Sequence, residues 1–154
     1  AGMLALIGAF DFVGTIVSGW LSDRYDNRYL LLAYYGLRGV SLLFLPYSGY
    51  SLMMLTVFAV FYGLDWVATV PPTVKLTAKH FGTDKAPVVF AWVFCGHQIG
   101  SATAAFLGGV TKTALDSFVP ALLFAGVFCI LAALLILTIG KAGRAEPALV
   151  SKAA

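Results

Sequence analysis

The chain has 154 residues, of which 60% are hydrophobic and 11% charged, with mean hydropathy +0.91 and a formal charge of +3. A soluble domain carries roughly a quarter charged residues, so this composition excludes a soluble globular protein and specifies an integral membrane protein. The excess of bases lies at the ends of apolar runs, where membrane topology places it, and nucleic acid is excluded as a partner.

Five apolar runs are long enough to cross a hydrocarbon core of about 30 Å as helices. They cover residues 3–21, 29–47, 51–75, 86–108 and 119–140, an all-α polytopic bundle with a short tail, 141–154, expected to be a disordered cytoplasmic end. No cleavable leader is expected, since the first run is itself long enough to span. The third run contains Pro71-Pro72, which removes two backbone donors and predicts a kink or break near its end. The connections are short: residues 22–28, 48–50, 79–85 and 109–118.

Lys and Arg divide unequally between the two sides. Arg24, Arg28, Lys75, Lys79, Lys85, Lys141, Arg144 and Lys152 fall on one side and Lys112 on the other, a bias that puts the N-terminus outside and the C-terminus inside.

Four ionisable side chains lie deep inside spans, each on a different helix: Asp11, Arg38, Asp65 and His97. Each sits about half-way along its run, so all four come to one depth near the bilayer centre. One charge there costs on the order of 3 kcal/mol, so four facing lipid independently are excluded; they face one another or a wet cavity. The last span holds no charge and reads as a peripheral, lipid-facing helix. Gly8, Asp11, Thr15, Ser18 and Ser22 form one small-and-polar stripe on the first span. Gly96, Gly100, Ala104 and Gly108 form a ladder on the fourth that permits close helix approach.

Each of these residues admits two roles. Arg38 either pairs with Asp65 or Asp11 to fix helix packing, or meets an anionic solute. Asp65 either takes part in that pair or carries a proton, and Asp11, on the polar stripe, is the candidate for solute binding or proton coupling. His97 and Gln98 either bridge helices by hydrogen bonds or contact solute and protons. Cys95 and Cys129 lie in apolar runs and define neither a disulfide nor a metal site, and no cofactor is expected. No phosphate-binding glycine loop or Ser/His/Asp set occurs, so an enzyme is not expected.

Between the first two spans runs Gly19-x-x-x-Asp23-Arg24-x-x-x-Arg28, which resembles the cytoplasmic loop signature of the major facilitator superfamily, with Asp26 in the place of its second glycine. The order of spans is similar to the eighth to twelfth helices of such a twelve-helix transporter. Gly63-Leu64-Asp65-Trp66 and Gly96-His97-Gln98 are similar to bacterial members near the monocarboxylate and oxalate–formate branch. That branch is associated with basic residues on its eighth and eleventh helices, where this chain has Asp11 and His97. The resemblance implies a C-terminal fragment of a secondary transporter of a small organic solute, a carboxylate among the candidates, in a bacterial inner membrane. It also implies alternating access, proton coupling, a missing N-terminal half, and a gating loop of Gly19, Asp23, Arg24 and Arg28. The competing expectation is a non-transporting membrane scaffold whose midplane charges are all structurally paired.

Overall fold

A computed structural model describes residues 2–140; the expected tail, 141–154, lies outside them. The described residues form six α-helices: α1 Gly2–Ser22, α2 Asn27–Phe44, α3 Leu52–Asp65, α4 Val70–Phe81, α5 Ala86–Leu115 and α6 Val119–Ile136. A short 3-10 turn, Leu45–Tyr47, finishes α2. Because α3 and α4 are two parts of one hydrophobic segment, Leu52–Phe81, five helical segments are long and apolar enough to cross a membrane. The protein is therefore an all-helical, multi-pass membrane bundle.

Local chemistry sets most of the helix ends. Asp26 caps α2 by accepting a hydrogen bond from the Arg28 backbone N–H at 3.0 Å, and Ser51 caps α3 from Met54 N–H at 3.3 Å. The α4 helix stops at Gly82, whose φ of +81° glycine adopts without steric cost. The fourth span runs further than the expected 86–108: α5 continues to Leu115, and most of the expected loop 109–118 is helix. Gly108 and Gly109 look like a loop start in sequence. In the folded helix, Thr111 and Thr113 hydroxyls donate to the carbonyls of those two glycines, a bonding mode that helices in lipid accommodate.

Two glycine-mediated contacts hold the bundle. Along α1 and α3, a Cβ on Gly14 would overlap the Leu64 carbonyl, and one on Gly63 would lie 2.5 Å from the Ile7 carbonyl oxygen. Along α2 and α6, a Cβ on Gly39 would come within 2.9 Å of the Gly126 carbonyl oxygen. Close approach of this kind is how helices gain dispersion contact in lipid, where no hydrophobic effect drives them together. The fourth-span ladder does not act this way here. A Cβ on Gly96, Gly100 or Gly108 meets nothing within 4 Å, and every residue from Ala91 to Phe106 is exposed among the described residues. The last span is apolar as expected, but it is a packing partner as well as a lipid-facing helix.

Candidate functional site: a broken helix held by side chains

The centre of the molecule is the break between α3 and α4. Helical bonding stops at Asp65 and resumes at Val70, so the prolines lie in the first turn of α4, just after the break they impose. Pro71 and Pro72 have no N–H for the carbonyls four residues earlier, Val67 and Ala68. Val67 O instead accepts from Val70 N–H at 2.9 Å in a tighter turn. Ala68 O accepts from the Ser18 hydroxyl of α1 at 2.5 Å, and both residues are fully buried.

The other freed groups are met in the same way. Val67 N–H donates to Asp11 Oδ1 at 2.9 Å. The Arg38 guanidinium donates from Nη2 to the carbonyls of Asp65 and Trp66, the latter at 3.0 Å. Its Nε and Nη2 also grip the Asp65 carboxylate, each at 3.1 Å, in a two-point fork that lysine cannot reproduce. Tyr35 and Tyr62 rings flank the guanidinium at 5.7 and 6.0 Å. An unsatisfied backbone group in hydrocarbon costs several kcal/mol, which is why an interrupted span recruits polar side chains from its neighbours.

Three of the four midplane residues thus converge on one feature. Arg38 pairs with Asp65, and Asp11 holds the next peptide N–H along the same break. His97 stands apart on α5, exposed, with its ring 5.9 Å from that of Phe94. It shares a cavity of about 210 Å³ with Arg38; Tyr35, Trp66, Phe90 and Phe94 form aromatic walls, and Thr69 and Thr73 add hydroxyls. Gln98, also exposed on α5, does not line this cavity. Ser18 was not a candidate in the sequence, although Pro72 announces an orphan carbonyl at Ala68, and Ser18 belongs to the stripe facing it. No group of three His, Cys, Asp or Glu suited to a metal occurs among the described residues.

The loop after α1 is fastened at both ends. Asp23 pairs with Lys75 Nζ of α4 at 2.5 Å, and that ammonium reaches the Gly19 carbonyl at 3.4 Å. Arg24 folds back over the Trp20 ring, 3.8 Å from its centroid. Arg28 donates to both carboxylate oxygens of Asp26, at 3.2 and 2.9 Å, and from Nη1 to Ile139 O beyond α6 at 2.8 Å. The Arg28 guanidinium holds the Asp26 carboxyl below the ordinary carboxylate range.

Residues 1–153 match the family profile of the Major Facilitator Superfamily. The chain belongs to that superfamily. Among curated proteins it is similar to the MFS-type transporter YcxA of Bacillus subtilis, 29% identical over 114 residues, which cover 71% of this chain and 28% of YcxA. It is also similar to monocarboxylate transporter 13 of Rattus norvegicus, 28% identical over 130 residues, which cover 83% of this chain and 30% of that transporter. The chain therefore spans less than a third of the length of these two relatives. No solved structure matches it. Membership of the superfamily, together with the five long apolar helical segments, marks a multi-pass protein of the lipid bilayer.

Proposed function

We propose that the chain is the C-terminal part of a secondary active transporter that moves a small organic solute by alternating access coupled to protons. The observation that carries this reading is the convergence of Asp11, Arg38 and Asp65 on a helix break beside a cavity that Arg38 shares with His97. Irregular backbone at membrane depth, lined by charge and opening on a cavity, is the arrangement that transporters use for binding and movement. Arg38, with Asp65 taking up part of its charge, and His97 suit a carboxylate; the aromatic walls suit an apolar body on the same solute. Asp11 couples the proton. As a carboxylate it holds Val67 N–H by a charge-assisted bond, and protonation weakens that bond and loosens the break. Gln98 is assigned a solute contact made when α5 closes on the cavity. Gly19, Asp23, Arg24 and Arg28 form the gating loop, with Asp23 and Arg24 exchanging their present contacts for a missing N-terminal half.

The bias of Lys and Arg supports an N-outside, C-inside orientation, and the similarity to YcxA supports a bacterial plasma membrane. The scaffold alternative draws on one observation, the full pairing of Arg38 with Asp65. It provides no use for the cavity on which Arg38 and His97 open.

The test is proton-driven uptake by the full-length parent reconstituted in vesicles, with candidate monocarboxylates as substrates. Asp11→Asn is expected to lower uptake about tenfold or more and to flatten its pH dependence. Uptake with an unchanged pH profile would remove Asp11 from coupling.

A further inference from the structure

Two carbonyl oxygens project from the end of the last span, and each meets a side chain from another helix. Ile139 O accepts from Arg28 Nη1 at 2.8 Å, and Gly140 O lies 3.0 Å from Nε2 of His80, in the last turn of α4. The other nitrogen of the same ring, Nδ1, lies 2.9 Å from Leu76 O, one turn back along α4. Both partners of the ring are backbone carbonyls, which accept hydrogen bonds and cannot donate. A neutral imidazole has one N–H and satisfies one of them, turning a lone pair toward the other. The imidazolium has two and satisfies both. Imidazole is also the side chain that ordinarily exchanges a proton between pH 5 and 8.

We propose that His80 is a pH-operated clasp between the ends of α4 and the last span on the basic-loop side. Protonated, the ring bridges Leu76 O to Gly140 O and ties the two helices together; neutral, it keeps one bond and releases the other. Its position gives the clasp a consequence. His80, Phe81, Leu31 and Ile139 line an apolar crevice of about 390 Å³ between α2, α4, α5 and the last span, and His80 makes its contact to Gly140 from the wall of this crevice. The helix held is α4, the part of the third span beyond the break, so acid ties it to the end of the last span, and in alkali the Nδ1–H tautomer, which keeps the bond to Leu76 O, releases it.

The charged and titratable groups around the ring are of both signs. From α2 come Arg28, occupied by Asp26 and Ile139 O, and Tyr35, which lines the same crevice. Lys79 precedes His80 on α4, and its charge reaches Asp26. Lys75, one turn further back, is paired with Asp23 of the first loop. Asp84 and Lys85 follow in the turn to α5, which presents Val89 and Val93 to the crevice. The described part of the last span brings no ionisable group to the crevice, only Ile136 and Ile139. The clasp is separate from the midplane cluster and stands whatever solute the parent carries.

Solid-state NMR of the whole chain in lipid bilayers tests it, with ¹⁵N-labelled histidine and ¹³C-labelled glycine carbonyls. Lowering the pH from about 8 to about 5 should protonate both His80 nitrogens. The Gly140 carbonyl resonance should shift downfield with the same midpoint. His80→Gln, whose amide donates independently of pH, should abolish that carbonyl shift while leaving the helical shifts of α4 unchanged. A Gly140 carbonyl that stays still while His80 titrates would overturn the proposal. So would a carbonyl that still titrates in His80→Gln, or a His80 ring that takes up no second proton in this range.

Discussion

Ser18 shows how much one hydroxyl can carry in lipid. The carbonyl it serves, Ala68 O, lies four residues before Pro72 and so lacks the N–H that a regular helix would supply. Ser18→Ala is expected to destabilise the chain by about 1–2 kcal/mol, because it leaves a buried acceptor unpaired. Ser41→Ala is the internal control: its hydroxyl bonds Leu37 O within α2, where that carbonyl already has a helical partner, and the expected change is close to zero. Unfolding in mixed micelles checks both, and equal losses would remove the break from the account. Asp26 gives a prediction in pH. Its carboxyl titrates below the ordinary range when folded because Arg28 donates to it, so the unfolded chain binds this proton first. The stabilisation is therefore present above about pH 4 and is lost as the pH falls through the lower folded value. Asp26→Asn should be less stable than wild type at neutral pH, with the difference closing in acid; a difference that persists unchanged at low pH would contradict the Asp26–Arg28 pairing.

Among the elements, the five spans were legible, because apolar run length acts locally in sequence. The break was legible in kind and displaced in place: prolines disturb the carbonyls behind them, so the disorder of bonding falls at residues 66–69 and the prolines themselves start α4. The pairing of Arg38 with Asp65 was one of two alternatives, since one helix does not reveal which way its neighbour is turned. For the same reason the glycines at the helix contacts were not legible. The small-residue ladder on α5 stands open, whereas Gly14, Gly63, Gly39 and Gly126, scattered in sequence, lie where helix axes cross. Gly39→Ala is accordingly expected to cost about 2 kcal/mol or more, since its Cβ would press on the Gly126 backbone and on Ile130. Gly100→Ala should be neutral or stabilising by up to about 1 kcal/mol, through helix propensity alone. Denaturant titration of the two variants in the same lipid discriminates them, and the reverse order would show that α5 packs more closely than the structure has it.

At the scale of the whole molecule, three contacts gather the ends of separate spans on one side. Asp23 joins Lys75, Arg28 joins Ile139 O, and His80 joins Gly140 O. The basic loops are thus brought together by the fold itself, and Lys112 lies at the other end, paired with Asp116. Which side faces the cytoplasm then depends on a single choice for the whole bundle, and from the count of Lys and Arg we expect the basic side inside. The expectation is tested by single cysteines in a background where Cys95 and Cys129 are alanine. Phe118→Cys, in the turn before α6, should react with a charged, membrane-impermeant maleimide in intact cells. Thr83→Cys, in the turn before α5, should react only after lysis. The opposite pattern would invert the bundle and with it the assignment of the Gly19–Arg28 loop to the cytoplasmic side. Labelling of both residues in intact cells would show that the chain does not hold one orientation, and the alternating-access reading would lose its direction.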